Sequence, residues 1–194
     1  MGRHNFSNAI GVALLADSLG ISGEAIERGL ESAPSLRGRL EEVPVPRGRA
    51  FIDFAHTPDA LEALLRSVKP WVAKGGRLHL LFGCGGGRDR GKRPLMGSVA
   101  SRLADRLVLT SDNPRLEDPA AIISEIAEGV LDGVECVESV DRRRAIGEAL
   151  GCLEENDVLL IAGKGHEVTQ EIGGEFLPFD EREVVLGIVS GERV

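Results

Sequence analysis

Four short stretches hold most of the unusual polar chemistry of this 194-residue chain: DFAHTP at 53–58, GCGGGRDRGKR at 83–93, TSDNPR at 110–115 and AGKGHE at 162–167. In the second stretch the glycines allow close backbone approach. Arg88, Arg90, Lys92 and Arg93 can then face a carboxylate or a phosphate, the arginines with two-pronged geometry. In the third, Arg115 suits a carboxylate and Asp112 an ammonium, with Asn113 between them, so the stretch can hold both ends of an amino acid. In the fourth, Gly163 and Gly165 bring backbone near a ligand and Glu167 can meet an ammonium. In the first, His56 can stack on a ligand or hydrogen-bond to it. Asp53 and His56 are not needed by the helix start that Thr57, Pro58 and Asp59 spell out. Each stretch also has a plain reading: solvated cations, an Asn-Pro turn, a tight turn with a charged tip, a helix cap.

Other chemistries fit poorly. Arg88 occupies the place of the third glycine of a dinucleotide fingerprint. Lys92 is followed by Arg93 where a phosphate-binding P-loop needs Ser or Thr. His56 and His166 show neither HxH nor HExxH spacing, and Cys84, Cys136 and Cys152 do not join them, so no metal site is expected. The charge balance is acidic, 31 Asp+Glu against 23 Lys+Arg, which argues against bulk nucleic-acid binding. No apolar run reaches the length of a membrane span. Three scattered cysteines without CxxC fit a reducing cytoplasm.

The elements that must position these stretches alternate. From Gly48 onward the runs RAFIDFA, RLHLLFG, RLVLTSD, VECVES and DVLLIAGKG read as strands. Helices between them start at Thr57-Pro58, near Lys92, at Asp118-Pro119 and at Asp141, and a turn, a short extended piece and a final helix end the chain. That alternation predicts an α/β fold with a doubly wound, mainly parallel sheet. The four polar stretches then fall beyond the carboxyl ends of strands, on the rim where such sheets bind ligands. A short helical segment precedes: residues 5–19, capped at Asn5 or Ser7 and ended by Gly20, then a helix capped by Ser22 with Ala25, Ile26 and Leu30 on one face. The Pro- and Gly-rich stretch around residue 45 predicts a boundary between 1–47 and 48–194.

FIDFAHTPDALE, LFGCGGGRDRGKRPLMG, TSDNPRLEDP, IAGKGHE and PFDEREV, in this order, resemble the Mur ligases, in the form found in members that add meso-diaminopimelate. The resemblance implies that 48–194 is the Rossmann-like C-terminal domain and 1–47 the tail of the central ATPase domain. It implies diaminopimelate contacts at Arg88, Asp112, Asn113, Arg115, Gly163 and Glu167, with Arg115 on the distal carboxylate. It implies nucleotide contacts at Asn8 (adenine), Arg39 (phosphate), Asp53 (ribose) and His56. The family works in the cytoplasm with ATP and Mg. It joins the amino acid to a UDP-N-acetylmuramoyl-dipeptide, here one ending in D-glutamate, through an acyl phosphate. The family usually has Asp where Gly87 stands and Tyr where Phe54 stands. No GTNGKT P-loop is present, nor are the central domain's metal ligands, so this chain alone is expected not to turn over ATP. Alternatives are a stand-alone amino-acid-binding module and a folylpolyglutamate synthetase-like ligase. Glutamate disfavours the second, because it offers no second ammonium to Asp112 and Glu167. Lysine addition is disfavoured by Arg115.

Overall fold

The computed structural model describes residues 3–33 and 36–191. They form two compact units, Met1–Leu36 and Arg37–Val194. The first holds helices α1 (Arg3–Ser18) and α2 (Gly23–Glu31). Ser22 caps α2 by accepting from the Ala25 N–H, as expected. Gly20, at φ 80°, follows α1 in the left-handed conformation that ends helices. The cap expected at Asn5 or Ser7 is corrected. Both lie inside α1, which is already helical at Arg3, and a cap residue needs non-helical backbone.

In the second unit a six-stranded sheet runs in the order β1-β2-β6-β3-β4-β5. The strands are β1 (Glu41–Val43), β2 (Arg49–Asp53), β3 (Leu78–Phe82), β4 (Arg106–Thr110), β5 (Glu135–Ser139) and β6 (Val158–Ala162). Only the edge strand β1 is antiparallel to its neighbour. Because Glu41–Val43 pair with Ala50–Ile52, this unit begins at Arg37, ahead of the boundary expected at Gly48.

Side chains alternate across the sheet. Leu160 and Val158 on β6 face α3 (Pro58–Val68), α4 (Lys92–Leu103) and α5 (Pro119–Ala127). Leu159 and Ile161 face α6 (Arg142–Gly151) and α7 (Glu181–Val189). β3, β4 and β6 are buried along their whole length on both faces, which their mostly apolar sequences LHLLF, RLVLT and VLLIA fit. Thr57 and Asp118 cap α3 and α5 as expected, and Asp141 caps α6. The turn and short extended piece expected from Gly173 onward are the second half of a full antiparallel hairpin, β7 (Thr169–Ile172) and β8 (Glu175–Pro178). No helix of the described residues is long and apolar enough to cross a membrane.

A titratable pair, His79 and Asp157, sits inside the frame. His79 on β3 is fully buried, and its Nε2 lies 3.0 Å from Asp157 Oδ2 while Nδ1 has no partner. Protonating Nδ1 would leave a donor in a dry site, so burial pushes the His79 imidazole below its usual value. Burial would raise Asp157, but the Arg77 and Glu154 N–H groups and His79 outweigh it and hold the carboxyl down. A depressed histidine contributes stability that is full above its unfolded value of about 6.5 and is lost as pH falls below it. We expect the unfolding free energy to drop between about pH 7 and 5, at up to about 1.4 kcal/mol per pH unit. His79→Gln should flatten that slope. Parallel urea-melt profiles for both proteins would contradict it.

Candidate functional site

Beyond the carboxyl ends of β2, β3, β4 and β6 the four polar loops enclose an open cleft of about 420 Å³. Strand order reverses here: β3 and β6 are neighbours although β4, β5 and three helices separate them in the chain. Arg88, Asp112, Asn113, Arg115, Gly163 and Glu167 all line the cleft, so the structure brings together all six expected amino-acid contacts.

The loops touch backbone to backbone. A Cβ at Gly86 would stand 2.0 Å from the Pro114 carbonyl oxygen, and one at Gly163 2.6 Å from Asp112 Oδ2. The Gly86 N–H donates to the Asn113 carbonyl at 2.9 Å. Gly163 further has φ 117°, a conformation that side chains rarely adopt.

The four cations of the glycine loop divide. Arg88 is exposed, lines the cleft and makes no hydrogen bond or ion pair among the described residues. Lys92 lines it too, with Nζ donating to the His56 carbonyl at 2.7 Å. The expectation that Arg90 and Arg93 face a ligand is corrected. Arg90 pairs with Glu125 on the surface. Arg93 is fully buried, with both Nη atoms donating to Glu117 and Nη1 also to Glu125. A guanidinium shut away from solvent needs such carboxylates, so Arg93 is an internal strut. Arg93, and next the Gly87 N–H, hold the Glu117 carboxyl down to about 2.

Asn113 and Glu167 are set by a lysine that sequence reasoning gave no role. Lys164 is fully buried, and its Nζ donates to Asn113 Oδ1, Glu167 Oε2 and the Thr169 carbonyl at 3.0, 2.9 and 2.7 Å. Asn113 Nδ2 donates to the same Glu167 Oε2 at 2.8 Å. Burial would raise the Glu167 carboxyl, but Asn113 and Lys164 outweigh it and keep it below its usual value, hence anionic. Oε1 accepts no hydrogen bond among the described residues and is left for the cleft.

The β7-β8 hairpin, also missed, braces the DNPR loop. Gln170 Nε2 donates to the Asp112 carbonyl at 2.6 Å, and the Glu171 N–H to Asn113 Oδ1 at 3.0 Å. Arg115 stands at φ 55°, unusual for a side chain of its size, between the Glu171 carbonyl and the Gly173 N–H. Its Nη1 donates to the Gly86 carbonyl at 2.6 Å and its Nε pairs with Glu171 at 3.0 Å. Nη2 makes no hydrogen bond among the described residues. The readable signal was the alternation of TQEI and EFLP around Gly173-Gly174, a hairpin pattern.

Residues 38–165 match the family model described as Mur ligase, glutamate ligase domain. The chain belongs to the Mur ligase family. It is 46% identical over 93% of its length to a UDP-N-acetylmuramoyl-L-alanyl-D-glutamate–2,6-diaminopimelate ligase of Acidovorax sp.. It is 45% identical over 97% of its length to the enzyme of that name in Caldanaerobacter subterraneus. A solved structure of a protein with the same name superposes with a TM-score of 0.78 at 37% identity over 99% of the chain. A folylpolyglutamate synthase structure from Thermotoga maritima gives 0.60 at 26% identity over 84% of it. The chain spans 36% and 39% of the two curated relatives and 39% and 36% of the two solved chains.

In this Mur ligase domain the expected nucleotide contacts fall on both units. Asn8 is exposed on α1, in the first unit. The Arg39 guanidinium lies 4.8 Å over the Phe54 ring, and Phe54 meets His56 and His166 at 4.7 and 5.1 Å. His56 lines the cleft from this cluster. Asp53 uses both oxygens on backbone, Oδ2 for the Leu40 N–H and Oδ1 for the Ala55 N–H, each at 2.8 Å. A ribose hydroxyl would meet only their remaining lone pairs. Gly87 stands at φ 62°. Cys84 lines the cleft but is no nucleophile: burial pushes its thiol up to about 12.

Proposed function

We propose that this domain binds meso-diaminopimelate for a ligase that joins it to UDP-N-acetylmuramoyl-L-alanyl-D-glutamate. The observation that carries the reading is the pairing of charges around one cleft. Arg88 and Arg115 supply cations without full protein partners; Asp112 and Glu167 supply carboxylates. Diaminopimelate has two ammonium and two carboxylate groups, which this rim complements. Arg115 receives the distal carboxylate, and Asp112 and Glu167 receive the distal ammonium. Gly163 leaves room against Asp112, and Asn113 holds Glu167 in place. Relatives that are 45–46% identical bear 2,6-diaminopimelate in their names.

The reaction belongs to the whole protein. ATP would supply the phosphoryl group that activates the dipeptide carboxylate as an acyl phosphate. Asn8, Arg39, Asp53 and His56 are the nucleotide contacts we assign from the motifs. The Arg39 cation and the His56 imidazole fit phosphate oxygens or a base. Magnesium does not fit these residues: among those described, no three His, Cys, Asp or Glu side chains gather around one point. Three free cysteines support a cytoplasmic location.

Calorimetry on this chain tests the reading. Diaminopimelate should bind, and lysine, lacking the distal carboxylate, should bind roughly 100-fold more weakly. Glutamate binding in place of diaminopimelate would favour the folylpolyglutamate-type alternative, which the Thermotoga maritima structure keeps in view. No difference between diaminopimelate and lysine would overturn the assignment of Arg115.

A further inference from the structure

We propose that Arg142 and Glu181 are a positioning pair that sets the distance between the loops carrying Asp112 and Gly163. The proposal rests on the amino-acid-binding reading of that cleft. Arg142 opens α6 and Glu181 opens α7, and neither side chain lines the cleft. Both side chains are completely buried. Arg142 Nε and Nη2 donate to Glu181 Oε1 at 2.8 and 2.5 Å. Its remaining donors leave the pair: Nη1 reaches the Ser111 carbonyl at 3.2 Å and Nη2 the Ala162 carbonyl at 2.9 Å.

Those two carbonyls are what give the contact meaning. Each belongs to the peptide group that leads into a cleft residue, Ser111 into Asp112 and Ala162 into Gly163. Their strands, β4 and β6, are not neighbours, because β3 lies between them. Past the strand ends no backbone ladder bond among the described residues ties the two loops; further along they meet through Asn113 with Lys164 and Glu167, but at Ser111 and Ala162 the tie is the guanidinium. One rigid, planar guanidinium, held from behind by Glu181, spans that gap. The gap is a narrow one, since Asp112 Oδ2 stands 2.6 Å from where a Gly163 Cβ would be. A shift of about 1 Å is enough to spoil a preorganised site.

Stability is a weak reason for such a pair. Two charges taken fully out of water gain little over apolar residues of the same shape. Glu181 Oε2 even lacks a partner, and burial pushes that carboxyl up. Donating to both carbonyls at once is something an apolar pair cannot do.

The test compares this chain with Arg142→Met/Glu181→Met, which removes both charges together and fills their space, and with Arg142→Lys. Three quantities are read: the melting temperature, amide hydrogen exchange, and diaminopimelate affinity by calorimetry. The double variant should melt within a few degrees of wild type. Protection at the Gly86, Gly163 and Glu171 amides should fall at least about 10-fold, with Leu80 and Leu160 unchanged, and Kd should rise at least about 10-fold. Arg142→Lys, whose single ammonium cannot span both carbonyls in the same way, should shift in the same direction. Unchanged rim protection in a folded variant would overturn the proposal. So would an equal loss in rim and core, or failure of both variants to fold, since the pair would then be a stability element. If wild type binds no diaminopimelate while rim protection still falls selectively, the positioning role stands and the amino-acid reading fails.

Discussion

Arg115→Ala is expected to weaken diaminopimelate binding by roughly 100-fold, about 2.8 kcal/mol. The arginine is half-shielded, and its Nη1 and Nε already hold the Gly86 carbonyl and Glu171. Those bonds fix the guanidinium plane before the ligand arrives, so little side-chain entropy is lost on binding. Truncation removes the cation that faces the ligand carboxylate. It also leaves the Glu171 carboxylate without its partner. Two companions separate the side chain from the backbone. Arg115 sits at φ 55°, where alanine is strained and glycine is not. Arg115→Gly should therefore be more stable than Arg115→Ala by about 1 kcal/mol and bind just as poorly. Arg115→Lys should recover only part of the affinity, because an ammonium cannot bond Gly86, Glu171 and a carboxylate in one plane. Full binding by Arg115→Gly would show that the position matters for its backbone alone.

Gly129→Ala is expected to lower the melting temperature of the sheet unit by about 6–12 °C, corresponding to about 3 kcal/mol. A Cβ there would stand 1.8 Å from the Pro94 carbonyl oxygen and 2.6 Å from the Pro94 carbonyl carbon. Across the same contact, a Cβ at Gly97 would stand 2.1 Å from the Ile126 carbonyl oxygen. The obstacles are backbone atoms of α4 and the end of α5, so no rotamer change relieves them. One helix has to move, and α4 begins with Lys92 and Arg93, which anchor the glycine loop to His56 and to Glu117. The same substitution should thus also weaken ligand binding at temperatures where the protein is still folded. Fluorescence of Trp71, the one tryptophan in the chain, packed against Phe51, reports on this unit. A melt within about 2 °C of wild type would show that the helices separate at little cost.

Much of the site could be read along the chain because its signals are local. Thr57-Pro58 and Asp118-Pro119 mark helix starts by capping chemistry that acts over three residues. The apolar runs of β3, β4 and β6 mark strands buried on both faces. Once strand and helix alternate, the loops after the strands must share one rim. That places Arg88, Asp112, Asn113, Arg115, Gly163 and Glu167 around one cleft before any coordinate is known.

What a side chain does on that rim depends on partners far away in sequence, and these the linear pattern does not display. Arg88 and Arg93 look alike in GGGRDRGKR, yet one is free in the cleft and the other is shut in with Glu117 and Glu125. Lys164 reads as a charged turn tip and is a fully buried ammonium with three acceptors. Arg142 and Glu181 stand near the starts of two helices, 39 positions apart in the chain, and meet in the core. By itself the sequence determined the order of elements, the doubly wound sheet and the set of loops at its carboxyl edge, because hydrophobic period and capping are short-range and repeat along the chain. Only the tertiary structure decided which charges pair with one another and which remain for a ligand, because desolvation and distance are properties of the packed fold.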